Sequence, residues 1–285
     1  RNGHTALPIP EWGRWTMGTN QDGSTTFNAH IFSSPKSGMI RLDGVVDNPT
    51  AVRVLGGEFA APTFLREGPD LIVNLDSSVL NAISKTSAHS VVAIDFTTPP
   101  RILTAPVIVG DDRMFVGTTT VRFAPPPTGA TIHVTTDGSQ PNAGTLALTL
   151  NPQGEFAIVL DRTSTLRART SWQGNMSNAE TTTTFVRSEL LPAKKCGDSV
   201  GLDARVIAGT FEIVPANDAF ENATQKSVIQ SVAIPASVPA DRYAVQLRGM
   251  IDVPASGVYR FELASDDGSE LWIDGVRIID NGGLH

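Results

Sequence analysis

A single cysteine, Cys196, occurs in 285 residues, so no internal disulfide can staple the chain. No His or Cys cluster has the spacing of a zinc site, and Cys196 reads as a free thiol with no second cysteine to give it a redox role. No run of about 18 apolar residues occurs, so nothing in the sequence is suited to cross a bilayer as a helix. Positive charge is scarce: 22 Lys and Arg stand against 29 Asp and Glu, a formal net charge of −7. That balance provides no basic footprint for nucleic acid or for an anionic membrane surface. The chain starts at Arg1 rather than Met, and no charged-then-apolar leader follows. The expectation is a fragment of a longer secreted protein, extracellular or periplasmic, whose signal peptide lies upstream.

What the chain does contain is turn formers and short apolar alternations. Hydrophobic residues make up 40%, with 25 Gly and 19 Pro, a composition of many short strands joined by tight turns. Period-two patterns occur at 25–32, 39–42, 50–55, 70–75 and 90–96, and turn residues such as Asp22-Gly23 and Gly68-Pro69 separate them. The fold class is therefore all-β, as three consecutive antiparallel β-sandwiches, the last one truncated. The expected units are 1–98, 99–187 and 200–285, with 188–199 as a linker carrying Cys196. Pro99-Pro100 and Pro106 mark the first junction, because proline lacks a donor and fixes an extended path.

Asp274-Gly275 between two apolar runs is a strong hairpin signal, since a type I′ turn needs positive φ at both central residues. Upstream of it, 258–264 alternates Tyr259, Phe261 and Leu263 with polar residues and reads as a third strand, followed by a turn at 265–268. The whole run, Tyr259-x-Phe-x-Leu-x-Ser-Asp-Asp-Gly-Ser-x-Leu-Trp-Ile-Asp-Gly275 with Asp280-Asn281, closely resembles the protective-antigen fourteen-kilodalton module over about 197–285. That resemblance implies a β-sandwich of bacterial glycosidases, adhesins and toxins, with carbohydrate binding in several members.

Two other stretches carry resemblances. Trp12-Gly13-Arg14-Trp15-Thr16, the strand at 30–32, Pro35-Lys36-Ser37-Gly38 and the strands at 51–55 and 90–94 resemble the C-terminal β-sandwich of family twenty-nine α-L-fucosidases. Ser33-Ser34-Pro35 replaces that family's frequent Asp-Trp-Pro, and His4 interrupts its Gly-Thr pair, so fold and kinship are what carry over. Thr135-Thr136-Asp137-Gly138-Ser139-x-Pro141 resembles the chitobiase/β-hexosaminidase C-terminal-type domain, an immunoglobulin-like spacer.

Together the resemblances imply the non-catalytic C-terminal part of a secreted glycoside hydrolase, an α-L-fucosidase with a retaining mechanism. Its two catalytic carboxylates would sit on an upstream (β/α)8 barrel, leaving this chain inactive alone. The implied partners are glycans or fucosylated polysaccharide and that barrel. The alternative is a stand-alone carbohydrate-binding adhesin or a structural spacer.

In the lectin-like branch of the protective-antigen-type family, two consecutive aspartates joined by a cis peptide hold a calcium ion that also binds sugar hydroxyls. Asp266 and Asp267 match that position. Calcium takes roughly 6–8 oxygen ligands, so these two carboxylates do not fill its shell. Their other reading is as caps of the turn before Gly268. Trp272 and Tyr259 are read as a sugar-stacking platform, or Trp272 as core filling, and Trp12 and Trp15 as buried in the sandwich or against the barrel. His30, His89 and His133 stand singly in strands and read as structural.

Overall fold

The computed structural model describes residues 2–3, 7–85, 90–110, 112–195, 200–236 and 238–283. The readings of Cys196, His4 and His89 fall outside the described residues. The chain divides into two compact units, Arg1–Ser188 and Glu189–His285.

The first unit opens with strands β1 (Gly13–Thr19) and β2 (Thr25–Ile31). Asp22 makes the reversal between them by accepting the Ser24 N–H at 3.0 Å and its hydroxyl at 2.7 Å, while Gly23 takes φ +85°. Then come β3 (Met39–Leu42), β4 (Ala51–Leu55), β5 (Thr63–Glu67), β6 (Asp70–Asn74), helix α1 (Ser77–Lys85) and β7 (Ser90–Phe96). One sheet runs Asn2–Gly3, β1, β2, β7, β4, and a second runs β3, β6, β5, all antiparallel. On β2 every second residue is buried, which puts Phe27, Ala29 and Ile31 into the core with Ile94 and Phe96 of β7. Phe27 and Phe96 meet edge to face at 5.5 Å.

Short strands follow the same logic in the second sandwich. Its elements are β8 (Thr119–Phe123), β9 (Ala130–Thr135), β10 (Phe156–Leu160), β11 (Ser164–Trp172) and β12 (Asn175–Arg187). One sheet orders Met114–Phe115, β12, β11, β9 and Leu146–Ala147; the other orders β10, β8 and Ile108–Val109. Only the short pairing of Met114–Phe115 with β12 is parallel among the described strands. A separate core of Ile132, Val134, Leu166, Ala168, Phe123 and Phe185 lies between the two sheets.

The segment expected as a linker between these sandwiches is pinned along its length. Leu103 N–H donates to the Gly44 carbonyl at 2.8 Å, and the Leu103 and Thr104 carbonyls accept the hydroxyls of Ser177 and Thr170 at 3.3 and 3.1 Å. Arg101 donates to Asp47 and stacks 4.2 Å over Trp172. Proline sets the extended path here, and hydrogen bonds to both sides remove its freedom.

The second unit has β13 (Leu202–Ala208) between β14 (Gln225–Ile229) and β15 (Tyr243–Arg248), followed by the hairpin β16 (Ser269–Ile273) and β17 (Val276–Asn281). A 3-10 turn at Asn217–Phe220 buries Phe220 with Ala204 and Val206. The strand expected at 258–264 does not form. Val258, Tyr259 and Phe261 are 48%, 41% and 36% exposed, and no described strand lies beside them. Alternation prepares a face for burial, but a strand needs a paired neighbour before it is stable.

Candidate functional site

Asp274 and Gly275 take φ of +52° and +82°, so the hairpin turn forms where its sequence predicts. It sets Leu271 opposite Ile279, then shifts register so that Trp272 faces Arg277 and Ile278 is left over as a bulge. The result gathers one polar surface around the indole. Glu270 accepts the Trp272 Nε1–H at 2.9 Å and the Arg277 guanidinium at 2.8 Å, and Arg277 also reaches Asp280 at 3.0 Å. The Arg277 guanidinium lies 5.8 Å from the indole centroid. Trp272 remains 42% exposed.

Asp266 and Asp267 sit in the bend immediately before β16, both exposed. Neither carboxylate makes a hydrogen bond to another described residue. The turn is tied instead by Ser265, whose hydroxyl donates to the Asp267 carbonyl and lies 2.7 Å from the Ser269 hydroxyl. Capping of the turn by the aspartates is therefore absent from the described geometry, and their oxygens face solvent. Close behind them, a Cβ on Gly268 would lie 2.9 Å from the Gly283 nitrogen, so glycine lets the two backbones meet. Among the described residues no peptide bond is cis, and no group of three or more His, Cys, Asp or Glu side chains lies at metal-binding distance.

Against this geometry, one comparison with known proteins is informative. Residues 169–285 match the PA14 domain. This is a carbohydrate-binding-like domain found in glycosidases and in extracellular proteins. No curated protein matches the chain. The matched span includes the hairpin, both aspartates and Trp272. It starts earlier than the resemblance over 197–285, and its first part, 169–187, is hydrogen-bonded into the β9, β11, β12 sheet of the first unit. No helix among the described residues is long and apolar enough to cross a membrane.

Sequence reasoning reached Asp266, Asp267 and Trp272 but missed Glu270, Arg277 and Asp280. The hairpin was readable, but the bulge that brings these positions onto one face was not. The other aromatic and histidine candidates lie elsewhere. His133 is buried, with Nε2 2.9 Å from the Ser171 hydroxyl, and His30 Nε2 is 2.9 Å from the Thr16 hydroxyl, both in structural settings. Trp12 and Trp15 are half-buried against the first core. Tyr259 donates its hydroxyl to the Ala255 carbonyl at 2.5 Å, on the segment that lacks a strand partner.

Proposed function

We propose that this chain is a non-catalytic, glycan-binding array of β-sandwiches belonging to a secreted glycoside hydrolase, an α-L-fucosidase, whose catalytic barrel it supports and tethers to glycan. The observation that carries this reading is the PA14 match together with an exposed Trp272 and two unpartnered carboxylates on the same matched segment. Trp272 offers the apolar face of a sugar a surface held in place by Glu270 and Arg277. Asp266 and Asp267 supply acceptors for sugar hydroxyls, directly or through calcium. The first sandwich supports the fucosidase assignment through its Trp12-Gly13-Arg14-Trp15 segment, and the second acts as a spacer.

Titration of the whole chain with fucosylated oligosaccharides, in calcium and in chelator, tests the reading. Binding is expected, with Trp272→Ala weakening it about tenfold, as loss of one stacked ring should. Asp266→Asn with Asp267→Asn is expected to abolish any calcium dependence. If no fucosylated or other neutral glycan binds under either condition, the tethering role is refuted.

A further inference from the structure

A groove of about 320 Å³ opens on the first sandwich, on different elements from the hairpin. Trp12, Trp15 and Met39 line it, and the two indoles meet at 5.5 Å with their planes 76° apart. They form a corner of two aromatic surfaces rather than a flat wall. Both rings pack on the buried core, so the corner is held rigid before anything binds. Its volume is at the low end of the roughly 300–1,000 Å³ of ligand sites, which suits a sugar ring rather than a large body.

The rim carries Glu11, Lys36, Arg41 and Asp43. These are joined as two ion pairs, Lys36 to Glu11 at 2.9 Å and Arg41 to Asp43 at 2.9 Å, so the rim sums to zero charge. Arg41 is further tied to Glu67 and Asp70, which fixes the Asp43 side of the rim. The Lys36–Glu11 pair still has unused capacity, since an ammonium has three donors and a carboxylate about four acceptor positions and the pair is joined by one hydrogen bond, whereas Arg41 spends three of its five donors on Asp43, Glu67 and Asp70 and keeps two. The side chains of Glu11 and Lys36 are almost fully exposed, so hydroxyl groups can replace their water at little cost. A neutral rim on a chain of net charge −7 gives no attraction for an anionic ligand.

We infer that this groove is a second carbohydrate site, binding one neutral pyranose ring of a glycan with a C–H face on Trp12 or Trp15 and its hydroxyls on the Glu11–Lys36 and Arg41–Asp43 rim. It stands independently of the hairpin site.

The test uses the whole chain labelled at its tryptophan indoles, with each resonance assigned by Trp→Phe substitution. The probes are cellopentaose, laminaripentaose, xyloglucan heptasaccharide and fucosyllactose, with oligogalacturonate as the anionic counterpart. The Trp12 and Trp15 signals are expected to move with at least one neutral probe, and Trp172 to stay in place. Lys36→Ala, an exposed change that spares the core, should weaken this binding about tenfold, the loss of one or two hydrogen bonds to a charged group. Movement of Trp272 alone, a response to oligogalacturonate alone, or no movement of Trp12 and Trp15 at millimolar probe would overturn the inference; the last result would leave the groove to a protein surface. Movement of Trp12 and Trp15 with Trp272 silent would support it and count against the hairpin reading, so the two readings fail separately.

Discussion

Arg101→Ala measures how firmly the first two sandwiches are joined. The guanidinium reaches Asp47 with two nitrogens, Nε at 3.2 Å and Nη2 at 2.5 Å, and lies 4.2 Å above the Trp172 ring. Asp47 is not stranded when the side chain is removed, because it still accepts the residue-101 backbone N–H at 2.7 Å. The penalty of about 3–5 kcal/mol for an orphaned buried charge therefore does not apply. The two side chains are 39% and 29% exposed, so screening limits the ion pair to about 1 kcal/mol. The cation-π contact adds about 0.5–1 kcal/mol, giving a total near 1.5–2 kcal/mol. Urea unfolding followed by circular dichroism and tryptophan fluorescence reads this loss, with an unchanged slope. Arg101→Lys keeps the charge but loses the fork and the stack, and should recover less than half.

The same pair has a pH signature. The Arg101 hydrogen bond is the main cause that holds the Asp47 carboxyl below its usual range, against a smaller opposing effect of burial. A pKa lower in the folded state than in the unfolded state stabilises the fold above the unfolded value, about 4, and that stabilisation fades as pH falls through the folded value. Wild type and Arg101→Ala should thus differ fully near neutrality, and as pH falls below about 4 the difference should shrink to the roughly 0.5–1 kcal/mol of the cation-π contact. Equal stability at neutral pH, or a difference that persists unchanged into acid, would refute the assignment of the joint to this pair.

Gly13→Ala would place a Cβ 1.9 Å from the His30 carbonyl oxygen, so β1 and β2 must separate; a loss of about 3 kcal/mol or more is expected in thermal or urea unfolding. Phe27→Ala removes a fully buried ring in edge contact with Phe96 and should cost about 3–5 kcal/mol by the same measurement. Limited chymotrypsin digestion should cut at Tyr259 or Phe261 before any site in Arg1–Ser188, because 249–268 has no strand pairing; matching resistance of the two regions would contradict this.

Legibility varied with how local each signal was. β2 and β3 announce themselves because each buries one face beside a paired neighbour, β7 because its apolar run Val91-Val92-Ala93-Ile94 suits a strand held between two others, and the Asp274-Gly275 turn because its backbone demands positive φ. β5 was silent: its residues Thr63–Glu67 are almost all exposed on an edge, so no period-two contrast arises. The helix Ser77–Lys85 was missed as well, being short, although Asp76 accepts the Val79 N–H at 2.9 Å as an N-cap. At the candidate site the aspartates and Trp272 were readable, but the Glu270–Arg277–Asp280 cluster depended on a bulge that shifts pairing by one residue.

The sequence by itself determined the all-β class, the turn positions and the side of each paired strand that faces a core, because these follow from backbone preference and short-range alternation. Only the tertiary structure decided which strands find partners, and so why 258–264 stays unpaired despite its pattern. It alone turned the proline-marked junction at 99–106 into a fixed joint, since the groups that hold it, Gly44, Asp47, Thr170, Trp172 and Ser177, are distant in the chain. It also brought Trp12 and Trp15 together with Lys36 and Arg41, a groove that depends on two separated segments, 7–15 and 35–43, meeting at one surface.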